Sequence, residues 1–404
     1  MLRPLFVTGS LAHGGAERHS IALMNQLAVR GHDCHGVYIK NRRDQIDRVQ
    51  LGPTGSMYCP NARRYLDGGA VDALTRHLRR LQPGVIVAAN AYALTYASLA
   101  RWKAGLKTPL VVTFHSTRLL DLKEHLKMAF ERLFFSASDL LVFVCEAQRR
   151  YWQRRALLAR RYAVVHNGVD VDHFRPGPFR EQAAGLRRSY GLAEDDYVIG
   201  MAAVLRPEKN PIQLVEAVGA LRHQGVPAKA LFIGDGEMRP EIEARARSLD
   251  ITGHVVITGL RQEVRPELAA CDVLTLCSVT EALSLAALEA MAMGLPVVHS
   301  DVGGARELIT PGHNGFVFAR GDLAGFVRHL GFLADRRLSR LLGSHARQVA
   351  EEHFSLRGMV DRYEQLLLEL CNSGAALGRS QAPAAPGGYG YVVMKQDYTR
   401  SEDQ

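Results

Sequence analysis

The sequence predicts an α/β protein built as two Rossmann-like domains, each a doubly wound parallel sheet, facing each other across a cleft. Three observations carry that expectation. Short apolar, β-rich runs alternate with helical patterns along the chain, and strands separated by helices form parallel sheets covered on both faces. The alternation restarts after residue 196. The 404 residues also suffice for two cores, since one domain commonly takes about 100–200.

Taken in order, the first strand is Pro4–Thr8, followed by a glycine loop and an amphipathic stretch from Glu17 to Arg30. Val37–Ile39, Val85–Ala89, Leu110–Phe114 and Leu140–Cys145 are the further strands of the first half, with helical stretches between most of them. The second half offers Tyr197–Val204, Ala228–Ile233, His254–Thr258, Val273–Cys277 and Pro296–His299 as strands, with helices starting near Pro211, Glu237, Glu263, Leu285 and Ala305. His166–Pro178, rich in Asn, Gly, Asp and Pro, joins the halves. The expected domains are therefore 1–172 and 173–354. A helical pattern runs on from Asp335 to about Leu370, and 355–372 reads as a C-terminal helix packing back on the first domain. Residues 373–404, rich in Gly, Pro, Ala and Ser, read as a disordered tail.

Composition narrows the class. With 47% hydrophobic and 23% charged residues, the chain is neither disordered, collagen-like nor a small disulfide scaffold. Six cysteines form no Cys-x-x-Cys pair, which argues against structural zinc and fits a reducing compartment. No apolar run reaches membrane-spanning length, and Met1-Leu2-Arg3-Pro4 opens no signal peptide. The expected location is cytoplasmic, peripheral at the inner face of the plasma membrane. The net charge of +9, from 50 basic and 41 acidic residues, points to anionic partners. Sparse aromatics and the lack of a binding motif argue against nucleic acid.

Several segments can carry chemistry. Gly14-Gly15-Ala16-Glu17 follows the first strand and opens the first helix, where backbone can approach a ligand and free N–H groups meet an anion. It is not a full G-x-G-x-x-G, so dinucleotide binding is not expected. Arg206 and Lys209, just past the first strand of the second half, can converge on one diphosphate, Arg as a planar fork and Lys as a point charge. Two such cations can do what a divalent metal does elsewhere. Glu281 and Glu289 stand eight residues apart, near two helical turns of about 3.6 residues each, which suggests two carboxylates along one side of a helix. Ionised carboxylates only accept hydrogen bonds, which suits the hydroxyls of a ribose or a sugar. Ala286, Ala287, Leu288, Ala290 and Met291 make this helix apolar, so a carboxylate on it needs a specific partner. His115 ends a strand at the edge where ligands of parallel sheets lie. Asp170-x-Asp172 falls in the connection and reads as a turn former rather than a metal ligand.

In their order these segments resemble glycosyltransferase family 4, the group 1 glycosyltransferases of the GT-B fold. The matching pieces are Gly14-Gly15-Ala16-Glu17, Asn167-Gly168-Val169-Asp170, Arg206-x-x-Lys209, Gly234-Asp235-Gly236, Gly259-Leu260, Glu281-x7-Glu289, Gly294-Leu295-Pro296-Val297-Val298 and Gly303-Gly304-x-x-Glu307. Many members carry Gly-Phe-Gly where this chain has Ala282-Leu283-Ser284, and an Asp is common where Ser116 follows His115. The resemblance implies a retaining, metal-independent transferase that takes a sugar from a nucleotide-diphospho-sugar to a saccharide or lipid-linked acceptor, in cell-surface polysaccharide or glycolipid synthesis, with no cofactor. It implies Arg206, Lys209 and His115 as catalytic residues. Gly14, Gly15, Gly259, Leu260, Glu281, Ala282, Leu283, Ser284 and Glu289 would bind the donor. A GT-B epimerase or phosphorylase, or a silent nucleotide-sugar-binding subunit, are the alternatives. The first lacks an evident acid–base pair, and a silent relative would be expected to lose Arg206, Lys209 or Glu289.

The acceptor side is read from charge. Between Arg118 and Arg161 ten basic residues meet five acids. Leu119, Leu120, Leu122, Leu126, Met128, Phe130, Leu133, Phe134 and Phe135 interleave the first cluster, Tyr151 and Trp152 the second. A basic amphipathic surface of this kind is expected to meet an anionic membrane.

Overall fold

The computed structural model describes residues 1–116 and 122–375. The first sheet is built from β1 (Pro4–Thr8), β2 (His35–Tyr38), β3 (Ser56–Tyr58), β4 (Val85–Ala89), β5 (Leu110–Phe114), β6 (Leu140–Phe143) and β7 (Tyr162–Val164), in the order 3-2-1-4-5-6-7. Helices α1 (Gly15–Val29), α2 (Gly68–Leu81), α3 (Asn90–Ala104), α4 (Leu122–Ser136) and α5 (Glu146–Gln153) connect them. In the second domain α6 (Arg180–Ser189) leads into β8 (Tyr197–Ala202), α7 (Pro211–His223), β9 (Ala228–Ile233), α8 (Arg239–Ser248), β10 (Val255–Ile257) and α9 (Arg265–Ala269). Then follow β11 (Val273–Leu276), α10 (Leu285–Ala292), β12 (Val297–Ser300), α11 (Ala305–Leu308), β13 (Gly315–Phe318), α12 (Leu323–Leu333), α13 (Arg336–His353) and α14 (Leu356–Ala375). This sheet runs 10-9-8-11-12-13.

All the pairings of named strands are parallel, with Leu5 opposite both His35 and Ile86, and Gly200 opposite Leu231 and Leu274. Central strands such as Val85–Ala89 and Leu110–Phe114 are buried at every position, which is why they read as unbroken apolar runs. Both sheets reverse their winding beside their first strand, β1 or β8. Open parallel sheets bind ligands at that switch point, beyond the strands' carboxyl ends. The loops leaving β1 and β8 are the Gly14-Gly15 loop and the Arg206–Lys209 turn.

Three strands were not expected: β3, β7 and β13. Each is a sheet edge, and β3 and β7 are three residues long and without a buried position, so no continuous apolar run marks them. The helical pattern expected from Asp335 to about Leu370 is interrupted at Phe354–Ser355, at the expected boundary between residues 354 and 355. There Val169 N donates to Phe354 O and Leu356 N to Val169 O, each at 2.8 Å. Gly168 makes the crossing feasible, because a Cβ on it would sit 2.8 Å from Leu356 Cα. Past this crossing α14 buries Met359, Val360, Tyr363, Leu367 and Leu370 against Leu2, Phe6, Leu23 and Val142 of the first domain. Burying side chains of this size stabilises by roughly 1.5–3 kcal/mol each. The helix continues to Ala375, past the expected boundary at 372, and the remainder of the expected tail lies outside the described residues.

The basic amphipathic segment divides. Leu126, Phe130 and Leu133 are exposed on α4, whereas Met128 and Phe135 belong to the first-domain core. Trp152, expected as a surface anchor, is fully buried against Phe114, and its indole Nε1 donates to Ser116 O at 2.9 Å. Arg118, Leu119 and Leu120 lie outside the described residues. No helix among the described residues is long and apolar enough to cross a membrane.

Candidate active site in the interdomain cleft

The second domain supplies the donor-facing charges. Beyond β8, Arg206 begins a single 3-10 turn, Pro207–Lys209, and Asn210 at φ 47° redirects the chain into α7. Lys209 Nζ stands 2.5 Å from a Glu281 carboxylate oxygen, which also accepts from Ser278 Oγ at 3.4 Å. Val279 N donates to Glu208 O at 2.8 Å, tying the two loops together. Glu281 thus sits in the loop before α10, where the eight-residue spacing had suggested a shared helix face. The helix starts only at Leu285, capped by Ser284 Oγ, which accepts from Ala287 N. The backbone of the loop is held from several sides. Ala282 O accepts from Gly304 N at 2.7 Å and Cys145 Sγ at 3.4 Å, and Leu283 O from Asn167 Nδ2 at 2.8 Å. Gly303, at φ 55°, passes so close that a Cβ would lie 2.1 Å from Glu281 O.

Glu289 is on α10 with 6% of its side chain exposed. Its partner comes from the other domain: the Arg18 guanidinium of α1 donates to it across the cleft. Glu17, one residue earlier, feels the Arg206 charge. Burial raises the Glu17 carboxyl above its usual range, against the pull of a backbone hydrogen bond and of that cation. Gly14 caps α1, and a Cβ on Gly15 would meet only the Leu285 side chain, at 3.9 Å. The N-termini of α1 and α10 therefore face one another, two sets of free N–H groups suited to an anion.

His115 follows β5, its backbone N donating to Asn90 Oδ1 at 2.8 Å. Its ring lies edge-on to His19, centroids 4.7 Å apart, and burial and that neighbour push its pKa well below the ordinary value. Leu260 is 62% exposed. It lines an open pocket of about 350 Å³ with Gln182, Leu186, Glu263 and Pro266. Beside the pocket Arg48 of the first domain donates to Gln262 O at 3.0 Å.

Arg18 and Arg48, which the sequence had not singled out, help hold the two halves together, with His166 of the joining segment and Glu307 of the Gly303-Gly304-x-x-Glu307 motif. The Glu307 carboxylate accepts from Glu146 N and Ala147 N, each at 2.8 Å, capping α5 of the first domain, and from His166 Nε2 at 2.9 Å. Burial pushes this carboxyl up, but His166 and the two N–H donors together hold it below its usual range. Asp170 Oδ1 accepts from Asp172 N and His173 N, at 3.1 and 2.9 Å, so it closes a turn. Among the described residues no group of three or more His, Cys, Asp or Glu is arranged to hold a metal ion.

Comparison with known proteins gives this arrangement a family. The model described as Glycosyltransferase Family 4 matches residues 13–173, and that described as Glycosyl transferases group 1 matches 184–349. The chain is 33% identical over 201 residues to Bacillus subtilis EpsD, covering 48% of this chain and 52% of that protein. It is 26% identical over 215 residues to the Escherichia coli UDP-Gal:α-D-GlcNAc-diphosphoundecaprenol α-1,3-galactosyltransferase, covering 52% and 54%. The aligned chain spans about half the length of these relatives. Anabaena HepE, solved with UDP and glucose, superposes with a TM-score of 0.80 at 20% identity, covering 91% of this chain and 100% of that one. That likeness is one of fold. With one family model on each domain, and the two-sheet GT-B architecture beneath them, the chain belongs to the group 1 glycosyltransferases, family 4.

Proposed function

We propose that the protein is a retaining glycosyltransferase that moves a sugar from a nucleoside-diphospho-sugar to a saccharide acceptor without a bound metal. The observation that carries this reading is that the loops beyond β8 and β11 pair Lys209 with Glu281, while the start of α1 brings Arg18 to Glu289 and Glu17 within reach of the Arg206 charge. In the reaction the bond between the anomeric carbon and the diphosphate oxygen breaks, and its electron pair goes to the diphosphate. Arg206, Lys209 and the facing helix N-termini stabilise that charge. Glu289 accepts from the ribose hydroxyls, Glu281 from those of the donor sugar, and His115 faces the reacting sugar. Gly259 and Leu260, with the open pocket that Leu260 lines, take the base. The acceptor hydroxyl passes its proton to the departing diphosphate oxygen and attacks from the face the diphosphate leaves, which retains the anomeric configuration.

The acceptor belongs to the synthesis of a cell-surface polysaccharide or glycolipid and is presented at the inner, anionic face of the plasma membrane. Supporting this are the lipid diphosphate in the name of the E. coli relative and the exposed Leu126, Phe130 and Leu133 among the cations of α4.

The test is a panel of UDP-, GDP- and ADP-sugars, incubated in EDTA with saccharide acceptors, with the product anomer read by NMR. The expected product keeps the donor's configuration. An inverted product, or activity lost to chelation and restored by magnesium or manganese, contradicts the reading. Release of an epimerised free sugar supports the epimerase alternative, and nucleotide binding without turnover of any donor supports the silent subunit.

A further inference from the structure

The carboxyl edge of the first sheet holds a second constellation, which none of the donor roles uses. Tyr65, in the loop before α2, and Tyr92, in the first turn of α3, have ring centroids 5.2 Å apart. Lys40, just past β2, places its ammonium 5.1 Å from the centre of the Tyr92 ring, and Lys127 of α4 stands 4.9 Å from that of Tyr65. The backbone beneath is knitted: Lys40 N donates to Gly9 O at 3.0 Å, and Ala62 N to Ile39 O at 2.9 Å. Gly9, without a side chain, lets Tyr92 close in, since a Cβ there would lie 3.2 Å from the ring. Asn90, two residues before Tyr92, holds the backbone of His115. The two tyrosines and two lysines thus form a shelf beside β1, the switch strand, next to the residue assigned to the reacting sugar.

Charge and burial say what such a shelf can take. Glu131, 3% exposed, accepts from the Tyr65 hydroxyl and lies 3.7 Å from Lys127, so one buried carboxylate fixes both side chains. Lys40 has no carboxylate partner among the described residues, and Arg43, Arg63 and Arg64 on the adjoining loops are exposed. An ammonium over a ring keeps its attraction to the aromatic face while its remaining N–H donors stay available to a phosphate. The electron-rich faces of the tyrosines accept the C–H face of a sugar ring.

We propose that this shelf is an acceptor subsite for a saccharide that bears a phosphate. The sugar ring rests on Tyr65 and Tyr92, and the phosphate is held by Lys40 and Lys127. The inference rests on the proposed glycosyl transfer for its reaction, but its binding can be measured without turnover. The probes are the 1-phosphates of glucose, galactose and N-acetylglucosamine, their methyl glycosides, and inorganic phosphate. Each is titrated into the full chain already saturated with whichever of UDP, GDP or ADP it binds. At least one sugar phosphate should bind ten-fold or more tightly than its methyl glycoside and than inorganic phosphate, and the preference should shrink with added salt. Lys40→Gln should erase most of that preference and leave nucleotide affinity unchanged, which also reports an intact fold. Lys127→Gln should reduce it independently.

Equal affinity for charged and neutral sugars, no binding of any sugar, or inorganic phosphate binding as tightly as the sugar phosphates would overturn the proposal. So would a Lys40→Gln protein that keeps the preference. Wild-type protein that selects sugar phosphates through Lys40 yet binds no nucleotide would instead contradict the proposed function alone. A further arm offers the same sugar on a short isoprenyl diphosphate. Tighter binding there assigns the phosphate to a lipid carrier, and equal binding to a free sugar phosphate.

Discussion

Arg18 and Glu289 hold each other across the cleft in which we place the nucleotide. On the proposed reading a ribose competes with Arg18 for the Glu289 carboxylate, so part of the donor's binding energy would go into loosening that pair. Arg18→Ala leaves that carboxylate buried and unpaired, a costly state that ribose hydroxyls would relieve. We expect free nucleoside diphosphate to bind this variant more tightly by about ten-fold, near 1.4 kcal/mol, in isothermal titration; unchanged or weaker binding would mean the pair does not guard the site. Arg206→Ala and Lys209→Ala should each lower kcat by about 10²–10³, the typical cost of losing one donor to a developing negative charge. Steady-state kinetics with a saturating donor separates that loss from weaker binding. Arg206, Lys209, Glu281 and Glu289 were legible from their motifs, the two cations in a loop past a strand and Glu289 on an apolar helix. Arg18 was not, although it adjoins Glu17. Its partner is 271 positions away, and only the mutual placement of two domains pairs them.

At the scale of elements, α4 shows how far an amphipathic pattern can be read. Its exposed Leu126, Phe130 and Leu133 recur at helical spacing, and Lys127 and Arg132 flank them. Met128 and Phe135, equally apolar, turn inward; periodicity marks two faces but does not say which one the sheet covers. Trp152 was misread for the same reason, since a tryptophan among arginines looks like an anchor until β5 is seen to need a cover. The exposed stripe should bind anionic vesicles in sedimentation, weaken steeply with salt, and lose most of that binding in Leu126→Asp with Leu133→Asp. Indifference to anionic vesicles at low salt would assign α4 to a protein partner or to solvent. Strand centres were legible as unbroken apolar runs, whereas the edges β3, β7 and β13 were not, because an edge strand buries too little to need one. Helix α10 was placed correctly at Leu285, yet Glu281 was drawn onto it. An eight-residue spacing fits a helix as well as a loop plus a helix, and the Ser284 cap decides between them.

At the scale of the whole molecule, α14 docks on the first domain beside a cluster of buried, neutral rings. His19 packs edge-on against His115 and against Tyr363 of α14, with Asn167 beside it as its polar neighbour. Burial lowers its pKa to about 4 from an ordinary value of 6.5. As pH falls the unfolded chain takes up this proton first, so stability that is complete above about 6.5 is lost progressively toward 4, by roughly 3 kcal/mol for this residue. Melting temperature should drop across that window and drop less in His19→Phe; an identical slope in both proteins would remove His19 from the account. The two-domain plan was legible because the β–α alternation restarts. The return of α14 onto the first domain was expected, but its route through the Gly168 crossing and its contacts with α1 and β6 were not legible, since they join residues from opposite ends of the chain. The central claim is that Glu289 and the Arg206–Lys209 pair form a nucleotide site that works without metal. Calorimetric titration of UDP, GDP and ADP into wild type and Glu289→Ala, with EDTA throughout, tests it most directly. The account predicts that at least one nucleoside diphosphate binds the wild type and binds Glu289→Ala at least ten-fold more weakly; equal affinity in the two proteins, or no binding until a divalent cation is added, would contradict it.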